Sequence, residues 1–196
     1  QRDEFRRSKY VQSDMEDIFR RVREDLKTGI PVLFTGTPCQ TAGLRSYIDG
    51  KLAENLYLAD IVCHGTPSPA VWDSYLSWHE DLAGEKAKNV IFRDKAFGWR
   101  ISRETIEFED RNVSSRSYNH LFYQNIMMRE SCGVCPFASV YRPSDLTMAD
   151  YWRKDKTCPD FASDNLGCSL VLCSTDKGRK LMNEVAESLH VQKVEL

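Results

Sequence analysis

The stretch Pro31-Val-Leu-Phe-Thr-Gly-Thr-Pro-Cys39 decides the fold. Its first five residues are apolar and rich in strand formers, and they read as a short strand. Gly36 then permits a tight turn, Thr37 is a helix cap, and Pro38 takes the first helical position, where an amide hydrogen has no intrahelical partner. Cys39 therefore falls in the first turn of a helix. Upstream, Ser13 reads as an N-cap with Glu16 completing a capping box, and Met15, Ile18, Phe19, Val22 and Leu26 follow at helical spacing until Gly29 stops the run. Downstream, Leu56 to Val62 is a second apolar strand ending in Cys63-His64-Gly65. Ser68-Pro69 then opens a helix through Trp72, Tyr75, Leu76 and Leu82 by the same cap-then-proline logic. Strand, helix, strand, helix predicts parallel pairing, with ligand-binding residues gathered at the carboxyl ends of the strands. Cys39 and Cys63 would then share one sheet edge.

Beyond Val90 the pattern changes. Ile101 to Phe108 alternates polar and apolar residues, and Asp110-Arg-Asn112 follows as a turn, which predicts an antiparallel hairpin inserted over 90–117. Tyr118 to Arg129 reads as a helix leading into Cys132-Gly-Val-Cys135-Pro. Asp145 to Tyr151 reads as a strand, Cys168 to Cys173 as a buried strand, and Thr175 to Ser188 as a final helix. The expected fold class is α/β: a mixed, largely parallel sheet flanked by helices, with an antiparallel hairpin excursion, in a single domain over 1–196.

The 196 residues suffice for one good core, and the formal net charge of −2, with acids and bases interspersed, provides no electrostatic footprint for nucleic acid or an anionic membrane. No stretch has the apolar length of a membrane span, and the lead-in Gln1-Arg-Asp-Glu-Phe-Arg-Arg is too charged for a signal peptide, so a cytoplasmic chain is expected. A start on Gln1 reads as a piece of a longer protein. Seven cysteines are an odd number and fall well below disulfide-scaffold density. In a reducing compartment such cysteines more often bind metal or do redox work than pair.

Two thiolates spaced as Cys132 and Cys135 grip one metal centre, and the proline that follows resembles the end of an iron-sulfur cysteine run. Cys39, at a helix N-terminus where amides and the helix dipole favour thiolate, and Cys63 would complete a set of four. Four thiolates serve an electron-transfer cluster or a tetrahedral zinc equally well. Cys158, Cys168 and Cys173 lack ligand spacing and read as packing thiols. His64 is either a donor to a cluster sulfur or a bound cofactor, or a satisfied loop residue. Asp150, ending an apolar strand, either meets a ligand or caps the next turn. No Walker loop, GxGxxG or hydrolytic triad is present.

Ser8-Lys-Tyr-Val-Gln-Ser13, Phe34-Thr-Gly-Thr-Pro-Cys-Gln40, Ala42-Gly-Leu44, Val62-Cys-His-Gly65, Pro67-Ser-Pro69, Cys132-Gly-Val-Cys-Pro-Phe137, Arg142, Ser144-Asp145 and Asp150-Tyr-Trp152 occur in this order over most of the chain. Together they resemble the beta subunit family of coenzyme F420-reducing hydrogenase and related dehydrogenases. The resemblance implies a [4Fe-4S] cluster on Cys39, Cys63, Cys132 and Cys135. It implies FAD or a related flavin near the Gly36-Thr37-Pro38 turn, with Lys9, His64, Gly65 and Asp150 among the cofactor contacts. It also implies a ferredoxin-like domain or redox partner subunit, upstream of or beside this piece, and electron relay between a two-electron (deaza)flavin carrier and one-electron clusters. The alternative is a non-catalytic binding module, zinc-stapled or degenerate, with a link to polysaccharide biosynthesis, since members of the resembled family also sit among polysaccharide-synthesis proteins.

Overall fold

The structure is a computed structural model that describes residues 8–161 and 165–195. The charged lead-in, 1–7, lies outside the described residues. In chain order the elements are α1 (Ile18–Lys27), β1 (Val32–Gly36), α2 (Pro38–Tyr47), β2 (Leu56–Ile61), α3 (Pro69–Ala83), β3 (Asn89–Ile91), β4 (Glu104–Glu107), β5 (Asn112–Ser115), α4 (Ser117–Tyr123), α5 (Glu130–Gly133), β6 (Leu146–Asp150), α6 (Lys154–Thr157), β7 (Ser169–Cys173) and α7 (Asp176–Ala186). They fall into two compact units. One takes Asp14–Cys63, Pro136–Ser163 and Gly167–Leu196, and the other takes Gln1–Ser13, His64–Cys135 and Asp164–Leu166.

In the first unit a four-stranded sheet runs in the order β1-β2-β6-β7. β1 and β6 both pair parallel to β2, and β7 returns antiparallel to β6. This is the expected mixed, largely parallel sheet. Its core joins Val22 and Leu26 of α1 to Phe34, Leu44, Ile48, Leu56 and Leu58, with Met15, Ile18 and Phe19 packed alongside. Burying each such aliphatic side chain contributes about 1.5–3 kcal/mol, which is what holds α1 and α2 on the sheet. The apolar stripe of α1 is as read, but the helix begins at Ile18, not after Ser13. The Asp14 side chain accepts from the Glu16 amide at 3.0 Å, and the Ile18 amide bonds to Met15 O, so a local Asx-type turn takes the amides that a cap at Ser13 would have served. β7 is half-buried, not buried as expected, because it is an edge strand with a single neighbour.

The second unit holds the antiparallel sheet β3-β4-β5, closed by a turn in which the Phe108 amide bonds to Arg111 O at 2.9 Å. This is the antiparallel excursion anticipated over 90–117. Phe92, Tyr118, Phe122 and Met127 form its core, with Tyr10, Trp72 and Tyr75 packed against them. Within that core Glu104 is fully buried and accepts from the Tyr75 hydroxyl, the Tyr118 amide and Asn119 Nδ2 at 2.7–3.0 Å. The helix expected from Tyr118 to Arg129 stops at Tyr123. Asn125 turns left-handed, and Met127 O and the Arg129 amide then bond to the Ser68 amide and Thr66 O. Pairing with the distant 66–68 segment takes the backbone groups that a longer helix would have used.

Candidate metal and cofactor site

At the carboxyl edge of the parallel strands the β1–α2 turn is built as the sequence dictates, with Thr37 at the cap and Pro38 at the first helical position. The Thr37 amide donates to Gln40 Oε1 at 2.8 Å, and a Cβ at Gly36 would come within 2.9 Å of that oxygen, so only glycine leaves room for this closure. Cys39 is exposed, with the Thr37 hydroxyl 3.2 Å from its sulfur. Ile61 is in register with Met148, so the chain leaves β2 toward Cys63 alongside the end of β6, where Asp150 stands half-buried. Cys39, Cys63 and Asp150 therefore belong to one edge of one sheet. With the Thr37 and Gln40 amides spent inside the closed turn, its exposed group is the Cys39 thiol, with the Thr37 hydroxyl beside it.

In the second unit the segment His64–Ser68 lies against the approach to the CxxC loop. The Thr66 amide donates to Cys132 Sγ at 3.4 Å, and the Arg129 amide bonds to Thr66 O at 2.9 Å. Gly65 has φ +146°, and a Cβ there would meet Met128 Sδ at 2.9 Å and Cys132 Cβ at 3.5 Å. Glycine is thus required by backbone conformation, while the Met128 side chain is the neighbour that would have to shift for a Cβ. The His64 ring lies 4.9 Å from Phe122 and 5.5 Å from Tyr123, against the aromatic cluster that Tyr10 completes. Lys9 is exposed one residue ahead of Tyr10. Cys132 and Cys135 are both half-buried; Cys132 lies in α5, and Cys135 follows two residues past its end.

The four cysteines are divided two and two between the units. Among the described residues no three His, Cys, Asp or Glu side chains are arranged to hold a metal ion, and no disulfide joins any of the cysteines. The local chemistry at Cys132 fits a cluster ligand: a backbone N–H aimed at sulfur, beside a glycine that lets the chain approach, is the kind of contact that tunes thiolate ligands. Two features were not legible as site chemistry. The Thr66 contact is made by backbone, which no residue type announces. The second is a buried pair, Arg142 and Asp60, at 3.1 Å. Asp60 reads in sequence as one more residue of an apolar strand, and Arg142 is marked only by the family resemblance, with nothing local to announce its partner.

A family model that describes the C terminus of the coenzyme F420 hydrogenase/dehydrogenase beta subunit matches residues 31–196. The chain belongs to this family. The family resemblance read from the sequence is therefore borne out. No curated protein matches the chain. Among solved structures, a chain of the F420-reducing [NiFe] hydrogenase complex from Methanosarcina barkeri aligns with a TM-score of 0.56 at 15% identity, over 93% of this chain and 57% of that one. The likeness is one of fold, and this chain spans little more than half the length of that relative. No helix among the described residues is long and apolar enough to cross a membrane.

Proposed function

We propose that this chain is the iron-sulfur flavoprotein domain of an oxidoreductase, passing electrons between a two-electron carrier of the flavin or deazaflavin type and a [4Fe-4S] cluster. Cys39, Cys63, Cys132 and Cys135 are the proposed ligands. The observation that carries the reading is the Thr66 amide directed at Cys132 Sγ beside Gly65, in a chain whose family is that of hydrogenase and dehydrogenase beta subunits. Bound there, the cluster supplies one-electron chemistry and a flavin the step between one and two electrons. The chain's own residues hold and tune. Thr66 N–H and the Thr37 hydroxyl offer hydrogen bonds to sulfur, and Gly65 permits close backbone approach. Gly36, Thr37 and Pro38 present the turn nearest the proposed flavin. Lys9, His64 and Asp150 are the side chains proposed to contact it. The proposed partner is a ferredoxin-like domain or redox subunit.

The test is iron, acid-labile sulfide and flavin content, with a visible spectrum, on protein purified and reconstituted without oxygen. About four irons and four sulfides per chain, with a broad band bleached by dithionite, is the expected result. Cys132→Ser should lose that band; an unchanged spectrum in this variant overturns the ligand assignment. Stoichiometric zinc without sulfide replaces the electron-transfer reading with that of a stapled binding module.

A further inference from the structure

Arg142 occupies a position that the cysteine set does not explain. Its side chain is 5% exposed, and all three of its nitrogens are engaged. Nη1 donates to Phe137 O at 2.9 Å and Ser139 O at 3.1 Å, Nη2 to Asp60 Oδ2 at 3.1 Å and Ile61 O at 3.0 Å, and Nε to Thr147 Oγ1 at 3.2 Å. Every one of these groups belongs to the same unit. Phe137 is two residues after Cys135 and Ile61 two residues before Cys63. One guanidinium thus grips the chain leaving one proposed ligand and the chain approaching another.

The loop it grips has little else to hold it. Val140 is 80% and Tyr141 89% exposed, so these two side chains point into solvent, and of the loop's large apolar residues only Phe137 is half-buried. The hydrogen bonds within it are local, from the Tyr141 amide to Ser139 Oγ, and Arg45 Nη1 holds Pro143 O only at its far end. Asp60 is fully buried, and its other oxygen has no partner among the described residues, so its charge is committed to Arg142. A buried ion pair is a poor stabiliser compared with apolar packing, because both charges lose water, but it can specify one arrangement of the chain. The flat five-donor fork of arginine suits that use, since it can reach several backbone carbonyls and a carboxylate at once, which an ammonium cannot.

We propose that Arg142, neutralised by Asp60, is a positioning residue: a clasp on the backbone of Phe137, Ser139 and Ile61 that fixes the segments flanking Cys135 and Cys63 so that their thiolates can be loaded with a cluster. The loading half of this inference rests on the proposed cluster, and the clasp half does not.

The test uses the full chain, purified without oxygen, as wild type, Arg142→Gln and Arg142→Lys. The lysine variant keeps the charge beside Asp60 and loses the fork, so it retains the fold if the glutamine variant does not. Chymotrypsin, which cuts after aromatic residues, reads the clasp at Phe137 and Tyr141. Cleavage there is expected to be roughly tenfold faster in Arg142→Lys, with unchanged far-ultraviolet circular dichroism, because the local opening equilibrium has shifted. Iron and sulfide after reconstitution are expected to fall by about half or more in the same variant, with an altered visible band, as when outer-shell support of a ligand is lost. Wild-type cleavage rates in Arg142→Lys overturn the clasp, and wild-type iron, sulfide and spectrum in a variant that is cut faster overturn its role in loading. If the wild type itself takes up no iron or sulfide, the cluster reading and the loading half fail together, and the cleavage rates still decide the clasp.

Discussion

At the scale of single residues, Gly65 concentrates the argument. A strand ending in Val-Cys-His-Gly suggests a turn, and the structure gives the glycine its physical cause, φ +146°, with the flexible end of Met128 close to where a Cβ would go. Gly65→Ala should cost about 1–3 kcal/mol, as strain and overpacking of this size usually do, and should lower the urea midpoint accordingly. A midpoint equal to wild type would mean that the loop relaxes freely and that Gly65 has no such constraint. Thr37 and Pro38 were fully legible, because a cap and a first-turn proline act on their own backbone. Arg142 was legible only as part of a family motif. Its partners Phe137 and Ser139 are near in sequence, but Asp60 and Ile61 arrive from β2, and no local pattern foretells that meeting.

At the scale of elements, β4 and α4 show how a buried carboxylate and phenols organise the second unit. Burial, followed by the charge of Glu104, pushes the Tyr118 phenol up to about 12, and burial chiefly raises Tyr10 and Tyr75 as well. In the unfolded chain a phenol ionises near 10. Between those values the unfolded chain holds fewer protons than the fold, so the phenols' contribution to stability is level below about pH 9 and falls as pH rises through 10 toward 12. Urea midpoints measured across this range should show that fall, and Tyr118→Phe should make it shallower. A spectrophotometric titration in which all eight tyrosines of the folded protein ionise near 10 would refute the assignment. Element existence was largely readable: the stripe of α1, the cap of α2, the proline at the start of α3 and the alternation of β4 are all periodic or local signals. Element ends were less so. α1 starts late because Asp14 makes its own turn, and α4 stops early because Met127 and Arg129 pair with the Thr66–Ser68 segment.

At the scale of the whole molecule, the proposed ligands run from Cys39 to Cys135, so binding one cluster to all four closes long loops of chain and should stabilise the fold by linkage. Protein stripped by chelator and oxidant should melt several degrees below the loaded form, since about 1 kcal/mol shifts the melting temperature by roughly 2–4 °C for a chain of this size. Equal melting of the two forms would argue against a shared ligand set. The α/β class, the parallel strands, the antiparallel excursion and the family were determined by the sequence itself. They rest on periodicity, caps, turns and motifs, which are properties of neighbouring residues. Only the tertiary structure decided that Glu104 is buried beneath three donors, that β7 is a half-buried edge, that Thr66 turns its amide to Cys132 and that Arg142 holds two distant segments. Each of these depends on backbone groups or charges brought together from far apart in the chain, and backbone groups are common to every residue type, so the sequence carries no local mark of where they meet.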